Sequence, residues 1–272
     1  NILKEMELDT GTYIGAKWGG KYLRSPDIFI SIVNDKSQKL IAIKDIKNKK
    51  NEKMVTVSGY VHDNNIGRTF PKTTFIKSIR DTRRIILSEK DTILYGVKPS
   101  GKSRQIADIL YARTYGRDHL VILNKCGAVG KEFYKIFTKN IEANILILLL
   151  NCTFIILQRE LLGLTNLGGG ALKFGRKDIA RYLIPKELIG GFSFPLADAF
   201  LNRQIETIFN EIGISPKSEI PIYEQEPKPL EDRAQLDTIV FDALELSAVE
   251  RKNVYRAVCQ LIWNRIQKAK SV

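Results

Sequence analysis

The sequence predicts an α+β fold, in which a twisted, mostly antiparallel sheet with packed helices is followed by a helical C-terminal extension. Short β-branched segments separated by polar residues fill much of the first half of the chain, as is typical of antiparallel strands. Apolar residues recur at helical spacing in the second half. A proline-rich, acidic stretch at 215–229 has the composition of a linker and precedes two further helices.

In the first half, the pattern predicts an early helix and a series of strands. Ser25 and Pro26 have the residue types of an N-cap and a first helical position, which predicts a helix that begins there. The spacing of apolar residues also predicts a helix over 104–113. The predicted strands are 39–46, 53–61, 74–79, 84–88, 92–97, 119–124 and 132–138.

In the second half, the pattern predicts helices. The longest apolar stretch, 145–157, is shorter than the about 20 residues that a membrane span requires, so we expect a buried segment and no membrane partner. Ser247 and Glu250 have the spacing of a capping box before a final helix that reaches Ala269. The other predicted helices are 141–162, 176–183, 197–212 and a stretch around 236–244 whose Asp237, Asp242 and Glu245 face water. The pattern changes near residue 190, which predicts a domain at 1–190 and a linker with a helical tail at 191–272.

Cysteine usage and the first residues give two expectations about cellular context. Cys126, Cys152 and Cys259 are far apart and form no CxxC pair, so neither a disulfide framework nor a zinc site is expected, and a reducing cytoplasm fits best. The chain begins at Asn1 without a basic and apolar leader. We therefore expect a piece of a longer polypeptide rather than a secreted precursor.

Positive charge is concentrated in the first half of the chain. Residues 1–140 hold 27 Lys and Arg against 14 Asp and Glu, whereas residues 141–272 hold 16 of each. Within the second half, 190–245 is acidic, with 4 basic against 11 acidic residues. A confined positive field favours polyanions, so nucleic acid is the class of partner that this pattern predicts. The alternative is that the lysines only keep the surface soluble.

One motif indicates a different class of function. Residues 96–103 (GVKPSGKS) match the phosphate-binding loop GxxxxGK[ST], in which Lys102 would bind phosphates and Ser103 magnesium. A nucleotide hydrolase also needs an apolar strand that ends in Asp, but the strand at 120–123 ends in Asn124. We therefore favour a grip on DNA phosphates for this loop, and a nucleotide hydrolase stays an alternative.

Metal-dependent chemistry has weaker support. Pro26-Asp27 followed by Asp45 and Lys47 loosely matches the pattern of magnesium-dependent nucleases, but a helix start and a solvated strand end explain the same residues. His62 and His119 are the two histidines of the chain, which leaves little room for a histidine metal site or a catalytic triad. No metal site is predicted.

Three runs follow one another in the middle of the chain: LNCT at 150–153, GLTNLGGGALK at 163–173 and LIP at 183–185. In this order they resemble the end of target-recognition domains (TaqI-like specificity domains) in adenine-N6 DNA methyltransferases of restriction–modification systems. Cys152 stands where that family usually has serine, a small-for-small change. The segment at 21–28 and the last helix also resemble these enzymes, so the resemblance spans nearly the whole chain.

The resemblance implies recognition of double-stranded DNA without the methyl transfer itself. The family needs a glycine-containing S-adenosylmethionine loop and an Asn/Asp-Pro-Pro-Tyr/Phe motif for the flipped adenine. Neither occurs in this sequence, and the second is excluded because no two of its nine prolines are adjacent. S-adenosylmethionine is therefore expected in a catalytic methyltransferase domain in cis, outside this chain. A stand-alone specificity subunit that binds a separate methylase is a further alternative.

The candidate DNA contacts fall into three groups. Basic side chains expected to bind phosphates are Lys47, Lys49, Lys50, Lys53, Lys98, Lys102 and Arg104. Base or groove contacts are expected from Arg113, Arg117 and the loop between His62 and Arg68. The residues expected to border DNA or the catalytic domain are Gly168, Gly169, Gly170 and Lys173, since glycines allow close backbone approach.

Overall fold

The computed structural model describes residues 2–6, 27–60, 73–76, 83–87, 93–95, 106–130, 133–164 and 170–270, and these confirm the α+β class. The helices are α1 Ile2–Glu5, α2 Asp27–Lys36, α3 Ala143–Leu150, α4 Thr153–Leu162, α5 Arg176–Ala180, α6 Ala197–Asn202, α7 Ile208–Ile212, α8 Glu231–Ala243 and α9 Ala248–Lys270. The strands are β1 Leu40–Ala42, β2 Val55–Ser58, β3 Thr73–Ile76, β4 Ile93–Tyr95, β5 Ile109–Ala112, β6 Thr114–Tyr115, β7 Val121–Leu123, β8 Val129–Gly130, β9 Phe133–Thr138, β10 Leu172–Lys173 and β11 Leu183–Pro185.

A four-stranded antiparallel sheet in the order β2-β9-β5-β7 forms the centre of the fold. Its register pairs Val55 with Thr138 at one end of β9 and Ala112 with Phe133 at the other. The segment 83–87 lies along the outer edge of β7, where the Leu123 amide donates to the Ile85 carbonyl at 2.7 Å. Smaller sheets pair β1 with β11, β10 with β6, and β3 with both β4 and β8, the last in parallel. The predicted mostly antiparallel sheet is confirmed.

The predicted helix over 104–113 is wrong, because its second half is the central strand β5. Every residue of β5 is at most 5% exposed, and the strand is hydrogen-bonded to β7 on one side and to β9 on the other. A strand that is buried on both faces has no polar residue at every second position. The apolar run of β5 is therefore compatible with the periodicity of a strand and with that of a helix. The weak helical spacing over 104–113 favoured a helix, which is wrong.

The predicted single helix over 141–162 is also wrong, since α3 and α4 meet at an angle of 64°. Asn151 ends the first helix and pairs with β7 through its side-chain amide, which donates to the Val121 carbonyl at 3.0 Å and accepts from the Val121 amide at 2.9 Å. Among the described residues, no single helix has the length and hydropathy to cross a bilayer. α3 and α4 have the required length and hydropathy only when they are counted together as one segment across the bend.

The predicted helix over 197–212 is divided into α6 and α7 by an extended segment. In this segment the Ile205 amide donates to the Arg83 carbonyl at 2.6 Å, and Thr207 pairs with Asp118. Thr207 then caps α7, because its Oγ1 accepts from the Asn210 amide at 3.4 Å. Backbone pairing with two other parts of the chain therefore replaces about one and a half turns of helix.

The C-terminal helices pack against the rest of the molecule. The capping box is confirmed, since the Ser247 amide donates to Glu250 Oε2 at 2.7 Å and the Glu250 amide to Ser247 Oγ at 3.3 Å. The long helix α9 packs on α4 and α2. The division of the chain at residue 190 stays a prediction, but buried side chains join the two parts across it.

Asp237 corrects the expected polar face of α8. Asp242 and Glu245 are exposed as expected, but Asp237 is fully buried. Its carboxylate accepts from the Thr153 amide at 2.7 Å and from the Thr153 hydroxyl at 2.5 Å, at the first turn of α4. These hydrogen bonds satisfy a free amide in the first turn of α4, so the contact stabilises α4 and joins α8 to it.

Candidate nucleic-acid interface

Four of the predicted phosphate contacts lie on one short hairpin, residues 47–53, which we call the lysine hairpin. Its ends pair as an antiparallel bridge between Lys47 and Lys53. Asn48 fixes the tip, because its Oδ1 accepts from the Lys50 amide at 2.9 Å and from the Glu52 amide at 3.0 Å. Asn51 adopts the left-handed conformation that such a turn requires, with φ 62°. The backbone is therefore fixed while Lys47, Lys49, Lys50 and Lys53 are exposed.

The acidic residue of the lysine hairpin contacts Asn48 and Lys139. Glu52 accepts from Asn48 Nδ2 at 2.8 Å and forms an ion pair with Lys139 at 3.3 Å. The hydrogen bond from Asn48, together with the Lys139 ammonium, holds the pKa of Glu52 below its ordinary value. The carboxylate therefore stays ionised beside Lys139, and the four hairpin lysines present a positive surface that can bind phosphates.

Arg117 lies in a second rigid segment, residues 115–120, which we call the arginine turn. The Tyr115 hydroxyl closes it by donating to the Leu120 carbonyl at 3.0 Å. The Arg117 carbonyl accepts from the Ile208 amide at 3.1 Å, at the start of α7. Its side chain is exposed and makes no hydrogen bond or ion pair with the described residues.

Two buried guanidinium groups hold the carbonyls on either side of Arg117. Arg265 Nη2 donates to the Gly116 carbonyl at 2.8 Å, and Arg159 Nη1 donates to the Asp118 carbonyl at 2.8 Å. Glu160 joins the two arginines, since it accepts from Arg159 Nη2 at 2.6 Å and from Arg265 Nε at 2.9 Å. Buried charges are tolerated when they are paired and hydrogen-bonded in this way.

The pKa of Glu160 agrees with this arrangement. Burial alone raises it, but the guanidinium groups of Arg159 and Arg265 together hold the pKa below its ordinary value. The group is therefore an ionised carboxylate between two cations. We call Arg159, Glu160 and Arg265 the buried triad.

His119 belongs to the support of the arginine turn. Its Nε2 lies 2.8 Å from the Leu150 carbonyl and its Nδ1 lies 3.1 Å from Arg159 Nη1. Because arginine can only donate, Nδ1 must accept and Nε2 must carry the hydrogen. Burial, and then the charge of Arg159, lower the pKa of His119 well below its ordinary value. The histidine is thus a neutral structural residue.

The end of the predicted glycine-rich loop is fixed beside the arginine turn. Leu164 and Lys173 exchange two backbone hydrogen bonds, of 2.8 and 2.9 Å, which close the base of the loop. Gly170 has φ +70°, and a Cβ there would lie 3.4 Å from Cβ of Ala269 on α9. Its carbonyl accepts from Arg265 Nη1. Gly170 therefore borders the C-terminal helix of this chain, while Lys173 is half-buried.

Arg113 lies next to the same region and is half-buried. Its guanidinium carbon is 4.4 Å from the centroid of the Tyr60 ring, a distance typical of a cation–π contact. Its carbonyl accepts from the Phe174 amide at 3.0 Å. The stacked guanidinium has a restricted set of orientations, which suits recognition of a planar partner.

The predicted contacts therefore form two groups at opposite ends of the central sheet. The lysine hairpin precedes β2 at the Thr138 end of β9, whereas Arg113, Arg117, Gly170 and Lys173 lie at the Phe133 end. The six residues of β9 separate these ends by about 17 Å. The remaining predicted contacts lie outside the described residues: His62, Arg68, Lys98, Lys102, Arg104, Gly168 and Gly169. The loop at 96–103 lies there as well.

The residues of the buried triad were not among those predicted from the sequence. Its signal is present, since Arg159-Glu160 interrupts an otherwise apolar helix and all three side chains are at most 7% exposed. A charged pair inside a buried helix needs a partner of opposite charge, but Glu160 and Arg265 are 105 residues apart. No group of three or more His, Cys, Asp or Glu side chains within the described ranges could hold a metal ion.

Comparison with known proteins shows a similarity of fold. No family model matches the sequence, and no curated protein is significantly similar to it. The crystal structure of the type IIG restriction endonuclease BpuSI is similar, with a TM-score of 0.60 and 11% sequence identity. The similarity covers 92% of this chain and 34% of the BpuSI chain, so this chain spans about a third of that enzyme's length. The chain thus has the fold of one part of a type IIG restriction endonuclease.

Proposed function

We propose that this chain is the DNA-recognition part of a restriction–modification enzyme, and more specifically of a site-specific adenine-N6 DNA methyltransferase. The observation that carries the proposal is the fold similarity to a type IIG restriction endonuclease along 92% of the chain. The resemblance at 150–185 to adenine methyltransferases supports the finer statement. S-adenosylmethionine and the methyl transfer then belong to a catalytic domain in cis, which receives the adenine flipped out of the stack.

The two groups of basic residues suit two different tasks in this function. Phosphate contacts position a protein on the duplex, and contacts to base edges supply the sequence information. Exposed lysines on a rigid hairpin suit the first task. An exposed arginine suits the second, since a guanidinium can donate two hydrogen bonds to O6 and N7 of guanine in the major groove. We therefore assign phosphates to the lysine hairpin and base edges to Arg117 and Arg113.

The salt dependence of DNA binding tests the first assignment. Each lysine that neutralises a phosphate contributes about 0.9 to the slope of log affinity against log salt, so replacing Lys49 and Lys50 with Gln should lower that slope by about 2. Fluorescence anisotropy of a labelled duplex at several salt concentrations measures it. A matched control replaces Lys217 and Lys228, two exposed lysines of the acidic segment, and should leave the slope unchanged. Equal effects of the two double variants, or no binding at low salt, would contradict the proposal.

Three further observations separate the alternatives. Selection from a library of random duplexes should enrich one short sequence, which a nucleotide hydrolase gives no reason to expect. Magnesium-dependent binding of ATP or GTP that Lys102→Ala abolishes would overturn the proposed DNA-recognition function and support a nucleotide hydrolase. The gene sequence upstream of Asn1 separates a methyltransferase domain in cis from a stand-alone specificity subunit, because the former requires an adjoining Asn-Pro-Pro-Tyr-type motif.

A further inference from the structure

We propose that Arg265 on α9 is a positioning residue for sequence recognition: it fixes the backbone that carries Arg117, so the preference for one DNA sequence depends on the C-terminal helix. The inference rests on the proposed function. The inference extends the proposed function by giving the C-terminal helix a role in it. Arg265 on this helix is 149 residues from Gly116 of the arginine turn.

The carbonyls of the arginine turn around residue 117 accept hydrogen bonds from other parts of the chain. Three successive carbonyls, those of Gly116, Arg117 and Asp118, accept respectively from Arg265, from the Ile208 amide and from Arg159. Two of the three donors are buried guanidinium groups. Hydrogen bonds thus hold each of the three peptide carbonyls around residue 117, while the Arg117 side chain is exposed to solvent.

Arg265 has the central position among these donors. Its Nη2 holds Gly116, its Nη1 holds the carbonyl of Gly170 at the end of the glycine-rich loop, and its Nε and Nη2 bind Glu160 at 2.9 and 3.1 Å. The guanidinium group of Arg265 therefore fixes the arginine turn and Gly170 relative to each other. Binding groups held in place before the partner arrives lose less conformational freedom on binding.

One substitution removes the hydrogen bonds of Arg265 without leaving an unpaired buried charge. Arg265→Met keeps most of the length of the side chain and leaves Arg159 and Glu160 as a neutral buried pair, because the triad holds two cations and one anion. A matched control is Arg256→Met on the same helix. Arg256 also donates to two backbone carbonyls, Gln225 at 2.8 Å and Glu224 at 3.3 Å, but in the acidic segment.

The experiment compares the affinity of the full chain for its selected duplex with that for a scrambled duplex. Arg265→Met should lower this preference by about tenfold or more, the range that loss of a base contact gives, and Arg256→Met should leave it unchanged. Arg117→Met should lower it similarly. Combining Arg117→Met with Arg265→Met should cause little further loss, because both changes remove the same contact.

The outcomes separate this inference from the proposed function. No preference in the unmodified chain overturns the proposed function. Preference in the unmodified chain that Arg265→Met retains, or losses that simply multiply in the double variant, overturn the positioning role. If Arg265→Met fails to fold by circular dichroism, Arg265→Lys takes its place. A single ammonium cannot reach Glu160, Gly116 and Gly170 together, so a loss of preference is again expected, and full preference in a folded Arg265→Lys overturns the inference.

Discussion

Asn151 shows how one polar residue of an apolar segment determines the geometry around it. Its amide group pairs with both backbone groups of Val121 and also donates to the Ile147 carbonyl at 2.9 Å. The side chain therefore completes the hydrogen bonding of β7 and ends α3 with the same atoms. The LNCT run thus has a structural role at Asn151 and at Thr153, which receives Asp237.

Asn151→Ala should lower the free energy of unfolding by about 2–5 kcal/mol, since it leaves the buried amide and carbonyl of Val121 without partners. Urea denaturation measures the loss. Asn202→Ala is the matched control, because the exposed Asn202 amide donates one hydrogen bond to Asp198 and its removal should cost about 0.5 kcal/mol or less. Similar losses for both variants would contradict this role of Asn151.

His119 predicts a dependence of stability on pH. Its pKa is lowered in the folded protein, chiefly by burial, so below the ordinary value of 6.5 the unfolded chain binds a proton that the folded chain does not. Its contribution is therefore present above pH 6.5 and is lost as the pH falls below it. Between pH 7.5 and 5.5 the free energy of unfolding should fall by about 1.4 kcal/mol from this residue.

His119→Gln is the test variant, since glutamine retains one donor and one acceptor and does not titrate. Denaturation at pH 7.5 and 5.5 should show that this variant lacks the decrease. The carboxylates with lowered pKa, such as Glu160 and Glu211, lose their contribution only in more acidic solution, so they do not obscure the comparison. An equal decrease in the unmodified chain and in His119→Gln would refute the assignment.

At the scale of elements, local pattern predicted the strands well where one face meets solvent or a polar residue ends the run. The strands at 119–124 and 132–138 and the helix that starts at Asp27 are confirmed. The pattern failed where the deciding contact is distant in sequence. β5 is a strand because it lies between β7 and β9, and the helix over 197–212 is interrupted because Ile205 and Thr207 pair with other segments.

The contact between α8 and α4 gives a prediction at this scale. Asp237→Ala removes the acceptor of two buried donors on Thr153 and should cost about 2–4 kcal/mol of unfolding free energy. Asp242→Ala on the same helix removes an exposed ion pair with Arg251, which should cost at most about 1 kcal/mol. Thermal and urea denaturation of both variants test this. Equal costs would mean that Asp237 faces water, as the sequence pattern alone suggested.

At the scale of the whole molecule, ionic contacts cross residue 190 through buried groups. Arg265 on α9 forms an ion pair with Glu160, and the guanidinium of Arg233 on α8 donates to the Asn151 carbonyl. The local pattern shows that a charged pair interrupts an apolar helix, but it does not show which distant residue is the partner. The exposed lysines of the candidate site could therefore be predicted, because a polar, lysine-rich loop is visible in the sequence. The buried triad that supports the arginine turn could not be predicted.

Removal of the tail should therefore disturb the first part of the chain. A fragment of residues 1–190 leaves Glu160 without the hydrogen bonds from Arg265 and leaves the buried donors of Thr153 without Asp237, and each buried group that loses its partner costs about 1–3 kcal/mol. We expect its unfolding to be shifted to lower temperature or to lose cooperativity, as circular dichroism would show. A fragment of residues 1–270 is the control and should melt like the full chain. Independent, unchanged melting of 1–190 would contradict this expectation.

The way in which the arginine turn is held has a consequence for how such a protein evolves. Buried side chains hold the main chain around residue 117 by hydrogen bonds, and the Arg117 side chain is exposed to solvent. Replacing that side chain therefore changes the chemistry offered to a partner and should alter stability by only about 0.5 kcal/mol. Under the proposed function, a single substitution at residue 117 can therefore change the preferred DNA sequence without a change in the buried residues that support the turn.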